Sequence, residues 1–211
     1  MPSVVAFPAI IPNVSEMGII TNSKQFISPL TGYTQTASRK GGRWFLRMTF
    51  NNLQGSQRSA LRGYLAFMEG QVNRISVGDH SYTGALGALG GTPRIKGAEQ
   101  TGTSLITDGW PASTTVLKAG DLFAYSNGTY SELKQVTSDA TTNGAGEVTL
   151  SIAPEIHTTP ADNTLIVTAS PVGTFMLASP TISWTNRPSQ SGGVSSPLSD
   201  LSIDLLEDIG T

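Results

Sequence analysis

A mainly β protein is the fold class that this sequence predicts, and three observations lead to that prediction. Between Arg94 and Asn186, short stretches with strand character recur at intervals of roughly ten residues. Only residues 56–69 carry a convincing helical pattern. Pairs of turn-forming residues separate the strand-like stretches, at Asp108-Gly109, Asn127-Gly128, Asn143-Gly144 and Asp162-Asn163. This spacing of strands and turns favours a small barrel or sandwich.

The N-terminal part combines a proline-rich segment with the clearest strand. Residues 1–32 hold apolar pairs interrupted by four prolines. Proline cannot donate to a β ladder, so we expect edge strands there, or extended arms that reach a neighbouring subunit. Residues 43–50, RWFLRMTF, predict a strand with one core-facing side. The residues on that side are Trp44, Leu46, Met48 and Phe50.

Residues 56–69, SQRSALRGYLAFME, predict one amphipathic helix. Ser56 is expected to cap its N-terminus, and Gly70 to end it in a left-handed turn. A strand is predicted directly after it, in residues 72–78. The apolar stripe of the helix has the spacing of one helix face and consists of Leu61, Tyr64, Leu65 and Met68.

The rest of the chain alternates loops and short strands. Residues 78–93, GDHSYTGALGALGGTP, are rich in glycine and predict a flexible loop or a crossing between domains. The polar residues 184–197 predict a loop that is disordered or becomes ordered only on contact. A final strand is expected in residues 198–209, LSDLSIDLLEDI. The other predicted strands are residues 103–110, 115–120, 121–127, 131–138, 146–154, 163–170 and 174–180.

These elements predict two units in an interrupted order. The lone strand at the end of the chain needs a sheet, and the helix-bearing first segment can supply one. Residues 1–90 and 171–211 are therefore predicted to form a β-sandwich domain with one helix. Residues 91–170 are predicted to form an inserted, small all-β domain that resembles a barrel.

Composition and charge exclude several functions. Charged residues make up 13% of the chain, against roughly 25% in an average globular protein. This suits a subunit buried among neighbours, and it also suits an ordinary turn-rich β protein. The net charge is −2, whereas a protein that grips nucleic acid usually has a basic surplus. We therefore expect no sequence-specific nucleic acid binding.

Cysteine content and hydropathy restrict the chemistry and the location. The chain has no cysteine, which excludes disulfides, thiolate metal sites and a cysteine nucleophile. No apolar run is long enough to cross a bilayer, so no membrane partner is expected. Residues 1–22 lack the basic start of a signal peptide, so we expect synthesis in a cytoplasm.

The residues that carry chemistry do not form a recognisable catalytic or metal-binding pattern. His80 and His157 are far apart in loop-like contexts, and Asp79 beside His80 is a weak candidate for a base with its orienting carboxylate. We assign no catalytic, cofactor-binding or metal residue, and expect no enzyme and no cofactor. A charged strand face is the interpretation of Asp200, Asp204, Glu207 and Asp208. The three tryptophans, Trp44, Trp110 and Trp184, are interpreted as scattered aromatics.

Three stretches resemble proteins from the tail tip of long-tailed bacteriophages. One is FISPLTGYTQTASRKGGRWFLRMTFNNLQGSQRSALRGYLAFMEG, with a P-L-x-G-x-x-Q turn before a Trp-bearing strand and one helix. The next, in residues 108–167, is similar to an inserted β module through its L-x-A-G-D turn and its G-x-G-x-V-T-L hairpin. The last is PVGTFMLASPTISWTNRP with the closing strand LSIDLLEDI.

The resemblance to distal tail and minor tail proteins of siphovirus-type phages implies a structural virion protein. It implies a β-sandwich belt domain that forms a ring, with hexameric symmetry, made in the host cytoplasm and located at the tail tip. The ring would join the tail tube protein to the baseplate hub and tail-tip proteins around a central channel. The family supplies no catalytic residue to carry over.

Other functions stay open at the level of sequence. One is a carbohydrate-binding module on a virion, which exposed tryptophans and tyrosines on one face of residues 94–170 would favour. Another is a tail-completion or connector protein at the other end of the tail. A hydrolase would need a nucleophile, base or metal set that these residues do not suggest.

Overall fold

Strands dominate the computed structural model, which describes residues 2–187 and 198–210 and confirms the mainly β class. The described part holds one α-helix, α1 (Gly55–Phe67). Its strands are β1 (Val4–Ala6), β2 (Val14–Ile27), β3 (Thr34–Leu53), β4 (Arg74–Val77), β5 (Arg94–Ile95), β6 (Gly102–Asp108), β7 (Thr115–Leu117), β8 (Leu122–Ser126), β9 (Ser131–Val136), β10 (Ala140–Thr141), β11 (Val148–Ile156), β12 (Ile166–Val167), β13 (Gly173–Leu177), β14 (Trp184–Arg187) and β15 (Leu198–Glu207).

A seven-stranded sheet combines strands from both ends of the chain. Its order is β1-β4-β13-β15-β3-β2, and β14 pairs with β15 beside this path. β15 lies antiparallel to β3, with Ile203 opposite Met48. The final segment is therefore a strand in the sheet of the N-terminal part, as its need for a partner predicted. The domain boundaries at residues 90 and 171 stay a prediction.

The inner face of this sheet and the helix form the first hydrophobic core. All four residues predicted for the core-facing side of β3 are buried, and Leu61, Leu65 and Met68 of the helical stripe pack against them. Tyr64 is half-buried and donates its hydroxyl hydrogen bond to the Val5 carbonyl at 3.2 Å. The predicted amphipathic helix is therefore confirmed.

The predicted cap of the helix is wrong, and the helix ends two residues before its predicted end. α1 begins at Gly55, Gln54 is the N-cap residue without a side-chain cap, and Ser56 lies inside the first turn. Leu53 is buried in the core, so the chain turns into the helix directly after it, ahead of the serine. At the other end, the helix stops at Phe67 with Met68 as its C-cap, and Glu69 (φ +47°) enters the left-handed region before Gly70 (φ +66°).

A six-stranded sheet curls into the second unit. Its order is β12-β8-β9-β11-β6-β5. The two ends of this order approach each other, because Ile95 N donates to the Thr164 carbonyl at 2.9 Å and Ile166 N to the Pro93 carbonyl at 3.0 Å. We call this unit the barrel. It confirms the barrel-like part of the predicted fold class, and β7 and β10 form a small ribbon beside it.

The hairpin of β8 and β9 belongs to both cores. Leu122, Ala124 and Leu133 pack into the first core. Phe123 and Tyr125, which alternate with them on β8, pack into the core of the barrel. Both faces of this hairpin are therefore covered, and it forms a wall that the two units share.

The glycine-rich crossing at residues 78–93 is anchored to the barrel. Leu86 N and Gly87 N donate to the two carboxylate oxygens of Asp121 at 2.7 and 3.0 Å. A Cβ on Gly87 would lie 2.1 Å from the Val116 carbonyl oxygen, so only glycine fits there. The segment runs from β4 of the seven-stranded sheet to β5 of the barrel.

Part of the predicted polar loop at residues 184–197 is a strand. Residues 184–187 form β14 against β15, because Trp184 packs on the first core and under the Arg62 guanidinium, 4.6 Å from the ring centroid. Residues 188–197, which complete that prediction, lie outside the described residues. Within the described part, the single helix is too short and too polar to span a membrane.

Candidate assembly surface

A long β-hairpin projects from the seven-stranded sheet. Its outer part, residues 20–27 and 34–40, is called here the distal ribbon. Cross-strand pairs run along it from Asn22 opposite Arg39 to Ile27 opposite Thr34. Every residue of the ribbon is exposed except the half-buried Ala37. A two-stranded ribbon with both faces in water is marginally stable by itself, so its length and exposure suit a segment that another surface covers.

The tip of the hairpin is apolar. The exposed fractions are 56% for Phe26, 64% for Ile27, 94% for Leu30 and 79% for Tyr33. The turn is closed by its own backbone, because Ser28 N donates to the Tyr33 carbonyl and Gly32 N to the Ser28 carbonyl, both at 2.9 Å. A cluster of large apolar side chains on an ordered turn is typical of a contact surface.

The distal ribbon and its root carry positive charge. Between Met17 and Phe45 there are four basic residues and no acidic one, although the whole chain has a net charge of −2. Lys24 and Arg39 stand on the ribbon face that carries Phe26, because residues two apart on a strand, and residues paired across strands, share a face. The opposite face is neutral and consists of Ser23, Gln25, Ile27, Thr34, Thr36 and Ser38.

The outer edge of β2 is free over its length in the described structure. β2 spans 14 residues and pairs only with β3. An exposed edge of this length offers backbone donors and acceptors to another strand. The other open edges of this sheet are much shorter, since β1 has 3 residues and β14 has 4. The free edge, the apolar tip and the basic face therefore coincide on one projecting element.

A buried polar cluster joins the two units behind this hairpin. Glu207, which is fully buried, accepts the backbone N–H of Trp44 on β3 at 3.1 Å and that of Leu133 on β9 at 3.2 Å. The indole of Trp44 donates to the Leu133 carbonyl at 2.8 Å. One carboxyl group therefore holds a strand of the sheet against a strand of the barrel.

An ion pair lies beside this carboxyl group. Lys134 and Glu132 are both buried, with Nζ and Oε2 3.0 Å apart. Glu132 also accepts hydrogen bonds from the Tyr125 hydroxyl at 3.0 Å and from the backbone N–H of Thr158 at 3.0 Å. The ammonium group and these donors provide the pairing and hydrogen bonds that a buried carboxylate requires. The cluster thus acts as a structural junction between the sheet and the barrel.

The pKa values at this junction move in different directions. Burial raises the pKa of Glu207 to about 7, although Lys134 and the two backbone donors oppose the rise. Burial acts to raise the pKa of Glu132 too, but the Lys134 ammonium and the N–H donors outweigh it and lower that pKa. Desolvation by burial lowers the pKa of His157, whose Nε2 is buried without a hydrogen-bond partner among the described residues.

The histidine candidates do not form a site. His80 packs edge-on against Phe7, with ring centroids 6.0 Å apart, and burial lowers its pKa. The Asp79 carboxylate accepts hydrogen bonds from Ser81 in its own turn, at 2.8 Å from the backbone N–H. In the described residues, no group of His, Cys, Asp or Glu side chains could hold a metal ion.

The carboxylates of the final strand are divided by their surroundings. Asp204 pairs with Arg47 at 2.8 Å, Asp200 with Arg187 at 2.8 Å, and Asp208 with Arg74. Glu207 alone points inward to the junction. The three aspartates therefore lie on the outer side of the sheet, each paired with an arginine.

The three tryptophans do not form an exposed platform. Trp44 and Trp110 are each 5% exposed, in different cores, and Trp184 lies half-buried under Arg62. Tyr125 is also buried, and Tyr130 is half-buried. The exposed aromatic cluster that would favour a carbohydrate-binding module is not found in residues 94–170.

Comparison with protein-family models and with curated proteins returns no match for this chain. The likeness to tail-tip proteins therefore rests on the quoted sequence stretches. The sequence analysis predicted extended segments in residues 1–32 but did not predict the hairpin surface. The P-L-x-G turn at its tip is the sequence signal that could have located the hairpin.

Proposed function

We propose that this chain is a structural subunit of a phage tail tip that assembles into a ring, with six copies around a central channel. The ring would join the tail tube to the baseplate or host-recognition proteins. The motif resemblance suggests the class of protein. The observation that carries the proposal is the projecting hairpin, whose apolar tip, free edge and two exposed faces suit a contact with another protein.

The charge distribution supports a head-to-tail contact. The hairpin is basic, whereas the rest of the chain is acidic, with nine basic and fifteen acidic residues outside residues 17–45. A two-fold contact between two hairpins would place like charges together. A head-to-tail contact places the basic hairpin on a different part of the next copy, outside residues 17–45, where acidic residues outnumber basic ones. Such contacts close into rings when the rotation allows.

The first experiment is the mass of the purified protein by light scattering after size exclusion, with negative-stain images of the main peak. We expect a hexamer with a central hole. A strict monomer over a wide concentration range would contradict ring formation by this chain alone.

A pair of matched variants tests the role of the hairpin. Leu30→Asp places a charge at the tip, where the side chain is 94% exposed, and should abolish the ring without affecting folding. Val72→Asp introduces the same charge at another exposed apolar residue, 55% exposed, in the turn before β4, and should leave the ring intact. Equal effects of the two variants would remove the hairpin from the interface.

A further inference from the structure

A bulge interrupts the pairing of the hairpin at its root. Ile20 pairs with Arg43, whereas Asn22 pairs with Arg39, so residues 40–42 of β3 stand opposite the single residue Thr21. Bulges bend and twist a ribbon and interrupt its ladder of hydrogen bonds. Gly41 has φ +108°, a conformation that favours glycine, and Gly42 follows it. The bulge is therefore the place where the direction of the distal ribbon is decided.

The barrel holds this bulge through one carboxylate. Gly41 N, which the ladder does not use, donates to Glu155 Oε1 at 2.9 Å, across 114 residues of sequence. On the hairpin's own side, Asn22 Nδ2 donates to the Lys40 carbonyl at 2.9 Å. Backbone groups freed by a bulge need such partners. The partner of the Gly41 N–H comes from the other unit.

The barrel side of this contact is rigid. Lys134 Nζ donates to the Glu155 carbonyl at 2.7 Å, and Lys134 itself is buried and paired with Glu132. Glu155 is thus fixed at its backbone by the junction and reaches the hairpin with its side chain. A cleft of about 410 Å³ lies next to the contact, between the two units. Its lining residues include Ile19, Arg39, Lys40, Thr103, Pro154 and Glu155.

We infer that Glu155 is a positioning residue, which sets the angle of the hairpin by holding the bulge at Gly41 against the barrel. The barrel then serves as a buttress for the projecting hairpin. Without the contact, the glycine pair can rotate and the hairpin swings over the cleft. The consequence for assembly rests on the proposed function, whereas the angle of the hairpin does not.

Distance measurements between spin labels test this inference directly. Because the chain has no cysteine, Thr36→Cys on the ribbon and Ser138→Cys on the barrel can be labelled uniquely; both side chains are exposed. All chains also carry Leu30→Asp, so no neighbouring copy holds the hairpin. Labelled protein is diluted with unlabelled protein of the same sequence, so only distances within one chain are measured.

Three variants are compared in this labelled background. Glu155→Ala removes the acceptor and should broaden the distance distribution severalfold, whereas Glu155→Gln keeps an acceptor oxygen and should stay near the wild-type width. Glu147→Ala is the control, because its partners Lys96 and Asn143 both lie in the barrel. A Glu155→Ala distribution as narrow as that of the wild type overturns the inference.

Assembly gives a second, separable readout. If the proposed function holds, Glu155→Ala should lower the fraction of protein in rings at least severalfold, and Glu155→Gln should restore it. A wild-type protein that forms no ring would contradict the proposed function and leave the distance measurement as the test of Glu155.

Discussion

At the scale of single residues, Glu207 is needed for the contact between the two units, although its charged form is unfavourable in the buried site. It is the partner of two backbone N–H groups, from Trp44 and Leu133, that join the two units. Its removal would leave buried donors without a partner, which costs about 1–3 kcal/mol each. Its ionisation in the buried site is disfavoured, and for this reason its pKa rises to about 7 from an ordinary value of 4.5.

This raised pKa determines the sign of one pH effect. Between pH 4.5 and about 7, the folded protein holds a proton on Glu207 that the unfolded chain has lost. The contribution of this group to the free energy of unfolding therefore falls as the pH rises through that window. The loss across the window is about 3 kcal/mol.

The two histidines act in the opposite direction. Burial lowers the pKa of both His80 and His157 from 6.5. The unfolded chain binds protons on them more readily, so their contribution to stability rises as the pH rises toward 6.5. Glu132, whose pKa is lowered, stabilises the fold fully above its ordinary value of 4.5, and this contribution is lost only as the pH falls below that value and protonation breaks its pairing with Lys134. The pH dependence of the wild-type free energy of unfolding therefore combines these groups and does not isolate the effect of Glu207.

We predict that Glu207→Gln isolates the effect. The wild type minus variant difference in unfolding free energy should fall by about 3 kcal/mol between pH 4.5 and 7 and stay flat above it. Urea denaturation followed by circular dichroism over this range measures the difference. Glu99→Gln, at an exposed glutamate, controls for the loss of a carboxyl group. A difference that does not vary with pH would show that Glu207 titrates normally.

At the scale of elements, two glycines predict opposite results for the same substitution. Gly63 lies in α1 with open space where a Cβ would be, so Gly63→Ala should stabilise the protein by about 1 kcal/mol. A Cβ on Gly87 would meet the Val116 carbonyl at 2.1 Å. Gly87→Ala should therefore displace the crossing segment from Asp121 and destabilise the protein by about 1–3 kcal/mol.

Chemical denaturation of the two glycine variants checks this pair. The denaturation midpoint of Gly63→Ala should lie above that of the wild type, and the midpoint of Gly87→Ala should lie below it. A stabilised Gly87→Ala variant would mean that the crossing segment shifts without cost, and that its anchoring at Asp121 contributes little.

The elements also show where pattern reading succeeds. Half-buried strands such as the part of β3 after Arg43 alternate apolar and polar residues, and this alternation located them. The distal ribbon has water on both faces, so Ser, Thr and Gln occupy both sides and no alternation marks it. The same exposure that makes it a candidate interface removed its signal from the sequence.

At the scale of the whole molecule, the shared hairpin of β8 and β9 predicts that the two units unfold together. Leu133 packs in the first core, Phe123 packs in the core of the barrel, and both belong to this hairpin. Loss of either core would expose one face of it. A single cooperative transition is therefore expected.

Core substitutions in each unit, read by a tryptophan in the other, test this coupling. Leu46→Ala in the first core and Leu105→Ala in the barrel should each cost about 2–5 kcal/mol. Variants that retain only Trp44 or only Trp110, by Phe replacement of the other tryptophans, report on one core each. The two reporters should give coincident transitions in every variant. Separate midpoints would mean that the barrel is an independent domain.

Local sequence pattern was sufficient to predict the mainly β class, the helical stripe, the core-facing side of β3 and the strands of the barrel other than β5. Each of these follows from local periodicity and turn chemistry, which neighbouring residues specify. Three features became visible only in the folded chain: Glu207 forms the junction, Glu155 meets Gly41, and the hairpin projects with both faces in water. These contacts join residues 163 and 114 positions apart along the chain, and the packing of the two units, which local pattern does not encode, brings them together.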